Sequence, residues 1–189
     1  MFKMGRHKLI QLQVYEILLY QEGVFKWKNS IMPQNSFDPI DQRILSELQK
    51  DGRITNVELA GRVGLTAPPC LRRVRALEED GIIEGYHAQL NPLRLGYTIT
   101  VFAMVSLKSQ AESDLRQFEE HVAKLAPVRE CHMLNGEIDF ILKIVARDLQ
   151  EFQEFLTTSL TTAPHVAGVK TSLTIRTSKN LPGVPVGGE

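Results

Sequence analysis

The first regular pattern of apolar and polar residues runs from Asp38 to Gly52. Its apolar members recur at helical spacing and would share one helix face: Ile40, Ile44, Leu45 and Leu48. Asp38 suits the N-cap position, and Pro39 suits the first helical position. The pattern therefore predicts a helix that ends near Gly52.

Two more helical patterns follow at short spacing. Thr55 and Glu58 have the spacing of a capping box, and the helix that they open would stop at Gly64. Its predicted apolar face consists of Val57, Ala60 and Val63. In the next pattern, residues 65–83, the residues predicted to face inward are Leu71, Val74 and Leu77, with Cys70 beside them. Two short helices with a glycine turn between them, preceded by a covering helix, indicate a helix-turn-helix.

The third predicted helix begins with prolines and continues with arginines. Thr66 would be its N-cap, and Pro68 and Pro69 fall in the first turn, where backbone N–H groups have no intrahelical partner. The positive end of the helix dipole at Thr66 and Ala67 would suit a phosphate. Arginines then follow before any acid, at positions 72, 73 and 75. This local charge favours a DNA-contacting helix, although arginines on a helix are also typical of a solvated face.

The second half of the chain alternates between strand and helix patterns. Strands are predicted in "TITVFAMVSL", "VRECHML", "IDFILKIVA" and "AGVKTSLTIRT". One helix is predicted around Leu115, Phe118, Val122 and Leu125, and another, capped by Asp148 and Glu151, around Leu149, Phe152, Phe155 and Leu156. Asn135 and Gly136 would form a hairpin turn. The order strand–helix–strand–strand–helix–strand predicts a ferredoxin-like fold with one sheet face left for a second subunit.

Composition narrows the function classes without choosing one. The chain has 189 residues, a formal net charge of zero and two cysteines far apart in sequence. A neutral chain attracts nucleic acid only through a local charged face. The histidines have no metal-ligand spacing, and His132 in its apolar strand is predicted to be a core residue. No apolar run is long enough to span a membrane.

Residues 1–36 need a separate interpretation because no clean helical stripe runs through them. We expect an upstream extension that is poorly ordered, with residues 1–31 arising from a mis-set start codon ahead of Met32. The alternative is a genuine docking arm. A signal peptide is disfavoured because polar residues interrupt the apolar run and no small-residue cleavage site follows.

The motifs "DGRITNVELAGRVGL", "PPCLRRVRALEEDGII" and "GYHAQLNP", followed by "ECHMLNGEIDFILK", closely resemble the Lrp/AsnC family of feast/famine regulators. The resemblance covers about residues 38–184. It implies an α+β chain: a winged helix-turn-helix domain at 37–86, a linker at 87–97, a ferredoxin-like effector and oligomerisation domain at 98–180, and a tail at 181–189. Family members more often carry Ser-Pro-Thr-Pro where this chain has Thr66, Ala67, Pro68 and Pro69.

The resemblance also implies partners and site residues. The partners are double-stranded DNA, a second copy in a dimer that often builds tetramers or octamers, and an amino-acid effector such as leucine, with no other cofactor and no membrane. The expected DNA-binding residues are Thr55, Asn56, Thr66, Ala67, Pro68, Arg72, Arg73 and Arg75. The expected effector residues are Leu134, Asn135, Gly136, Glu137 and Asp139. From the residues alone, Asn135–Gly136 is equally typical of a plain turn, and Asp139 of a local backbone cap.

The expected function is a cytoplasmic, nucleoid-associated transcriptional regulator of amino-acid metabolism, without enzyme activity. Two alternatives remain open. Sirohaem decarboxylases resemble this family in both domains, and such an enzyme would need a histidine near a tetrapyrrole pocket. An effector-binding interaction protein without DNA binding is the other alternative, and the arginine set argues against it.

Overall fold

The computed structural model describes residues 38–186, so the predictions for residues 1–36 lie outside the described residues. The described chain divides into two compact units. The first unit ends at Gly85 and also includes the chain from Gly183 onwards, where the Val184 carbonyl accepts a hydrogen bond from Gln49. The second unit spans Tyr86–Pro182.

The first unit is built from three helices: α1 (Pro39–Lys50), α2 (Asn56–Val63) and α3 (Ala67–Glu79). The predicted caps are confirmed at Asp38, which accepts from the Ile40 N–H, and at Thr55 and Glu58, which form a complete capping box. Gly64 ends α2 with φ 76°, a left-handed conformation that favours glycine. The fully buried centre consists of Ile44, Leu59, Ala60, Val63, Cys70 and Leu77.

Two residues predicted to be inward in this unit lie at its surface. Val57 is 72% exposed, and Leu59 takes its place in the core. Leu71 is 37% exposed, whereas Cys70 is completely buried. The buried face of α3 therefore follows Cys70, Val74 and Leu77. Residues 80–98, which follow α3, contain no strand, and their only regular element is a 3₁₀ turn at Leu93–Leu95.

The second unit is a four-stranded antiparallel sheet with two helices. Its elements are β1 (Ile99–Leu107), α4 (Glu112–Val122), β2 (Val128–Met133), β3 (Phe140–Ala146), α5 (Leu149–Phe155) and β4 (Val166–Leu173). The spatial order β2-β3-β1-β4 confirms the ferredoxin-like prediction. A π-helical turn, Leu156–Leu160, continues α5.

The helices cover one face of this sheet. Alternate residues of β1 and β3, including Val105 and Leu142, pack with Phe118 of α4 and Phe152 of α5. The rings of Phe118 and Phe140 lie 4.7 Å apart between centroids. Leu149 was expected to face inward but is 55% exposed at the start of α5.

The hairpin between β2 and β3 is longer than the Asn135–Gly136 signal predicts. Met133 is the last paired residue of β2, and Phe140 is its partner. The Leu134 N–H donates to the Asp139 carbonyl at 2.8 Å, so residues 134–139 form one wide turn. Ile138 and Asp139, which were predicted to be in the strand, belong to this turn.

Candidate nucleic-acid interface and effector turn

The start of α3 leaves the Thr66 hydroxyl free. An N-cap side chain normally accepts from the N–H of the second or third helical residue. Here those residues are Pro68 and Pro69, which have no N–H, and Thr66 accordingly makes no side-chain cap bond. The same prolines leave Ala67 as the only backbone donor among the first three helical residues. The helix start therefore offers a phosphate fewer backbone N–H donors than the helix-dipole prediction assumes, so side chains must supply more of the contacts.

Two of the predicted interface residues are engaged in holding α2. The Thr55 hydroxyl donates to Glu58 Oε2 at 2.8 Å and accepts from the Glu58 N–H. Asn56 Nδ2 donates to the Ala67 carbonyl at 2.8 Å and so joins the starts of α2 and α3. The buried Asn56 Oδ1 has no hydrogen-bond partner among residues 38–186. Thr55 therefore caps α2, and Asn56 fixes the start of α3 relative to that of α2.

The three arginines of α3 divide into two groups. Arg72 and Arg75 are exposed and make no salt bridge with the described residues. Arg73 is half-buried, and its guanidinium pairs with Asp38 and Asp41 at 2.9 Å each. The pair with Asp41 raises the pKa of Arg73 further. Arg73 thus faces α1, unlike the outward position expected from the sequence.

Arg53, which the sequence reading missed, adds to the exposed charge of this unit. It lies in the loop before α2, and its side chain makes no salt bridge within the described residues. Its backbone N–H is held by Asp51 at 2.9 Å. Arg62, in contrast, pairs with Glu47 at 2.9 Å. Within residues 38–85, the cationic side chains without a salt bridge are therefore those of Arg53, Arg72 and Arg75, besides Arg43 on α1.

Asp139 is the only buried charged residue in the described part of the chain, with 7% exposure. Its Oδ2 accepts from the Leu107 N–H at 2.7 Å, and its Oδ1 accepts from Gln110 Nε2 at 2.8 Å. Both carboxylate oxygens are thus bonded within the chain, but to residues distant in sequence and not to the local backbone that the cap interpretation invoked. Gln110 lies far from Asp139 in sequence, so no local pattern could have identified it.

The rest of the turn is open. Leu134, Asn135, Gly136 and Glu137 are all exposed, and Glu137 makes no salt bridge within residues 38–186. A Cβ placed on Gly136 would meet nothing within 4 Å in this chain, although φ at 156° is rarely adopted by side-chain-bearing residues. The turn therefore offers backbone N–H groups, one carboxylate and the apolar side chains of Met133 and Leu134 to a ligand or a second subunit.

The sheet face opposite the helices is uncovered. Phe102 and Met104 of β1 lie on it beside Ile141 and Val145 of β3, and Phe102 is 37% exposed. At its β2 edge, Lys143 pairs with Glu130 at 2.7 Å. His132, predicted to be a core residue, is instead exposed beside Glu130. This face has an apolar centre and a charged edge.

Metal-ligating and membrane-spanning features were also sought in residues 38–186. No group of three or more histidine, cysteine, aspartate or glutamate side chains is placed to hold a metal ion in that range. None of its helices has the length and apolar character needed to cross a bilayer. His121 and His165 contact the Ser159 carbonyl and Gln117, respectively, so they serve local packing.

Comparisons with known proteins match both units. A family model described as winged helix-turn-helix DNA-binding matches residues 37–84, and one described as the Lrp/AsnC ligand binding domain matches residues 100–184. The leucine-responsive regulatory protein of Rhizobium meliloti is 54% identical over 143 residues, which cover 76% of this chain and 92% of the relative. The protein of the same name from Escherichia coli K12 is 44% identical over 139 residues, covering 74% and 85%.

Solved structures agree with this match. A transcriptional regulator from Neisseria meningitidis, in complex with L-methionine, aligns with a TM-score of 0.76 and 34% identity. The alignment covers 79% of this chain and 97% of that one. An AsnC family regulator from Agrobacterium tumefaciens aligns with a TM-score of 0.75 and 29% identity over 79% and 97% of the two chains.

Proposed function

The chain belongs to the Lrp/AsnC family of DNA-binding transcriptional regulators with an amino-acid-binding domain, and from this premise we propose that it senses an apolar amino acid, leucine first, to regulate genes of amino-acid metabolism. Such a regulator acts on the nucleoid in the cytoplasm. The alternative readings as a decarboxylase or as a protein without DNA binding lose their support, since the relatives are regulators.

In this proposal α3 enters the major groove. Thr66, Arg72 and Arg75 make the contacts, because the hydroxyl of Thr66 has no cap bond and the two guanidinium groups have no salt bridge in the described chain. A bidentate arginine–guanine contact is worth about 1–3 kcal/mol of discrimination. Arg53 adds a phosphate contact from the loop before α2. Thr55 and Asn56 contribute by fixing the turn that presents α3.

A second copy covers the open sheet face. The apolar centre of this face consists of Phe102, Met104, Ile141 and Val145. Its burial against a second copy would stabilise the dimer by about 25 cal/mol per Å² of apolar surface removed from water. A two-fold dimer would place two α3 helices on half-sites about one turn of DNA apart, roughly 34 Å. Dimers then assemble further into tetramers or octamers.

The effector binds at the turn of residues 134–137. The observation that carries this proposal is the exposure of the turn: its N–H groups suit a carboxylate, Glu137 suits an α-ammonium, and Met133 and Leu134 suit an apolar side chain. Two relatives are named leucine-responsive, and the Neisseria regulator was solved with L-methionine. Asp139 supports the turn from within, because both of its oxygens are already bonded.

The test is a calorimetric titration of leucine, methionine, isoleucine, valine, alanine and asparagine into the full chain. Leucine should bind most tightly. Glu137→Gln and Gly136→Val should each lower the affinity for leucine about tenfold or more, while DNA binding without ligand stays intact. Glu112→Gln, a charge-matched change on α4, is the control and should bind leucine normally. Absence of binding at millimolar concentration for the whole panel would refute the amino-acid proposal.

A further inference from the structure

Arg73 is the direct polar link between α1 and α3. Its Nη2 pairs with Asp38 Oδ2 and its Nη1 with Asp41 Oδ1, each at 2.9 Å. The other oxygen of Asp38 accepts the Ile40 N–H at 2.8 Å and so caps α1. One guanidinium therefore binds both the carboxylate that caps α1 and the carboxylate in its first turn.

We propose that Arg73 is a positioning residue, which sets the angle of α3 against α1 and thereby presents Arg72 and Arg75 to DNA. This inference rests on the proposed DNA contact by α3. It assigns to Arg73 a role that differs from the direct DNA contact expected from the sequence.

The packing of the three helices explains why α3 needs this link. Within residues 38–85, α2 packs against both α1 and α3, whereas the backbones of α1 and α3 hardly approach each other. The apolar anchors of α3 are Cys70 and Leu77, with Val74 between them, while Leu71 is at the surface. A single apolar stripe holds a helix against the core but resists rotation about its axis only weakly, because apolar burial has no direction. The two ion pairs restrict the rotation of α3 about its axis, because they hold Arg73 toward Asp38 and Asp41.

The shape of the guanidinium makes this role specific to arginine. Its planar fork presents N–H groups at fixed angles and can bridge two carboxylates, whereas a lysine ammonium is a compact point charge on a flexible stem. Both terminal nitrogens of the fork are used in the structure, since Nη1 and Nη2 each have an acid partner. A phosphate that drew these nitrogens away would leave Asp38 and Asp41 without their cation. Arg72 and Arg75 meet no such competition within the described residues.

The test is a charge swap on the full-length chain. The probe is a duplex enriched from a random-sequence pool by the wild-type protein, and fluorescence anisotropy measures the affinity. Arg73→Glu should weaken binding about tenfold or more, by replacing two attractions with repulsions. Adding Asp41→Arg should restore affinity to within about threefold, because Arg at 41 can pair with both Glu at 73 and Asp38. Asp41→Arg should not rescue Arg72→Glu, which is the matched control.

A second variant keeps the proposal falsifiable if Arg73→Glu does not fold. Arg73→Lys keeps the charge and should fold, as judged by circular dichroism, yet should bind the duplex several-fold more weakly, because lysine can satisfy only one of the two acids. A direct phosphate contact predicts instead that lysine serves nearly as well as arginine.

Three outcomes decide between the possibilities. Rescue by the swap, together with weakened binding by Arg73→Lys, supports the positioning role. A folded double variant that binds no better than Arg73→Glu overturns that role while leaving the DNA contact of α3 in place. If Arg72→Glu and Arg75→Glu both bind like the wild type, the proposed DNA contact by α3 fails.

Discussion

Asn56 Nδ2 donates a 2.8 Å hydrogen bond to the carbonyl oxygen of Ala67 and thereby joins the first residues of α2 and α3. The bond crosses the glycine turn of the helix-turn-helix. It gives the carbonyl of the first residue of α3 a donor from outside the helix, and it fixes where α3 begins relative to α2. A side chain expected to touch DNA therefore acts on the geometry of the motif.

Replacing Asn56 with Ala should destabilise the first unit by about 1–2 kcal/mol, because the part-buried hydrogen bond that joins the starts of α2 and α3 is lost. DNA affinity should fall with it, since the start of α3 is released. Urea unfolding and anisotropy on the same preparation measure both effects. Val57→Ala, at a side chain that is 72% exposed, is the neighbouring control and should change stability by less than about 0.5 kcal/mol. Equal stability of both variants would contradict this role for Asn56.

Arg72→Ala and Arg75→Ala should each reduce the salt dependence of DNA binding. A lost phosphate contact lowers the slope of log affinity against log salt by about one, whereas a lost base contact relaxes specificity at one position. Anisotropy titrations at several salt concentrations, with wild-type and scrambled duplexes, separate the two effects. Arg116→Ala is the control, because that arginine pairs with Glu112 on α4. Slopes that match the wild type, with unchanged specificity, would exclude both arginines from the interface.

Asp139→Ala should destabilise the second unit by about 1–3 kcal/mol even without an effector, because the Leu107 N–H loses its buried acceptor and Gln110 its partner. Asp139→Asn should cost less, since an amide oxygen can still accept from Leu107 and the Gln110 amide can turn to accept in its place. Chemical denaturation in the absence of ligand provides the measurement. A fully stable Asp139→Ala variant that fails to bind leucine would instead mark Asp139 as a direct ligand contact.

The first unit should lose stability as the solution becomes acidic. The hydrogen bond from the Ile40 N–H, and to a smaller extent Arg73, lowers the pKa of Asp38 from 3.8. Lys50 and Arg62 lower the pKa of Glu47 from 4.5. Thr55 lowers the pKa of Glu58 from the same value. A lowered folded-state pKa gives stability that is present above the unfolded value and lost as pH falls below it.

We therefore expect protection of α1–α3 against amide hydrogen exchange, after correction for the intrinsic rate, to fall from about pH 4.5 downwards. Mass spectrometry follows the two units separately. Glu47→Gln should flatten part of the decline, because it removes the carboxylate that pairs with Lys50 and Arg62. Glu154→Gln on α5, whose side chain makes no salt bridge within residues 38–186, should leave the decline unchanged. A decline with the same shape in Glu47→Gln would contradict the assignment.

Phe102→Asp should dissociate the proposed dimer by placing a charge at the apolar centre of the open sheet face. Light scattering at micromolar concentration should then report monomers, while the wild-type chain and a fragment beginning at Leu93 stay at least dimeric. Glu120→Gln, on the outer side of α4, should have no effect. A dimeric Phe102→Asp variant would place the interface elsewhere.

The sequence predicted the elements well because their signals are local. The cap at Asp38, the capping box of Thr55 and Glu58, and the alternation of β1 all depend on residues a few positions apart. The helical residues that were wrongly predicted to face inward share one error. Val57, Leu71 and Leu149 are each followed, in the predicted apolar face, by two residues spaced three apart. An interval of three residues falls about 60° short of a full turn in a helix of 3.6 residues per turn, so the first residue of such a series lies on a different face from the last. Series that mix steps of three and four, such as Leu115, Phe118 and Val122, stay on the buried face.

The site was harder to predict because its contacts are long-range. Nothing local distinguishes Arg73, which turns to Asp38 and Asp41, from Arg72 beside it. Asp139 looked like a ligand for an ammonium group because Gln110 and Leu107, its actual partners, lie on another part of the chain. Residue types were therefore enough to propose a turn and a helix as sites, whereas the division between exposed side chains and side chains bonded within the chain required coordinates.

The position of β1 in the sheet also has a consequence for how the chain folds during synthesis. Met104 pairs on one side with Ile141 and on the other with Lys170, so the central strand lacks its last neighbour until β4 has left the ribosome. The three helices of the first unit pack on one another within residues 38–85 and can form earlier. Nascent chains should therefore carry a folded DNA-binding unit before they can assemble, and subunits would meet only after β4 has emerged.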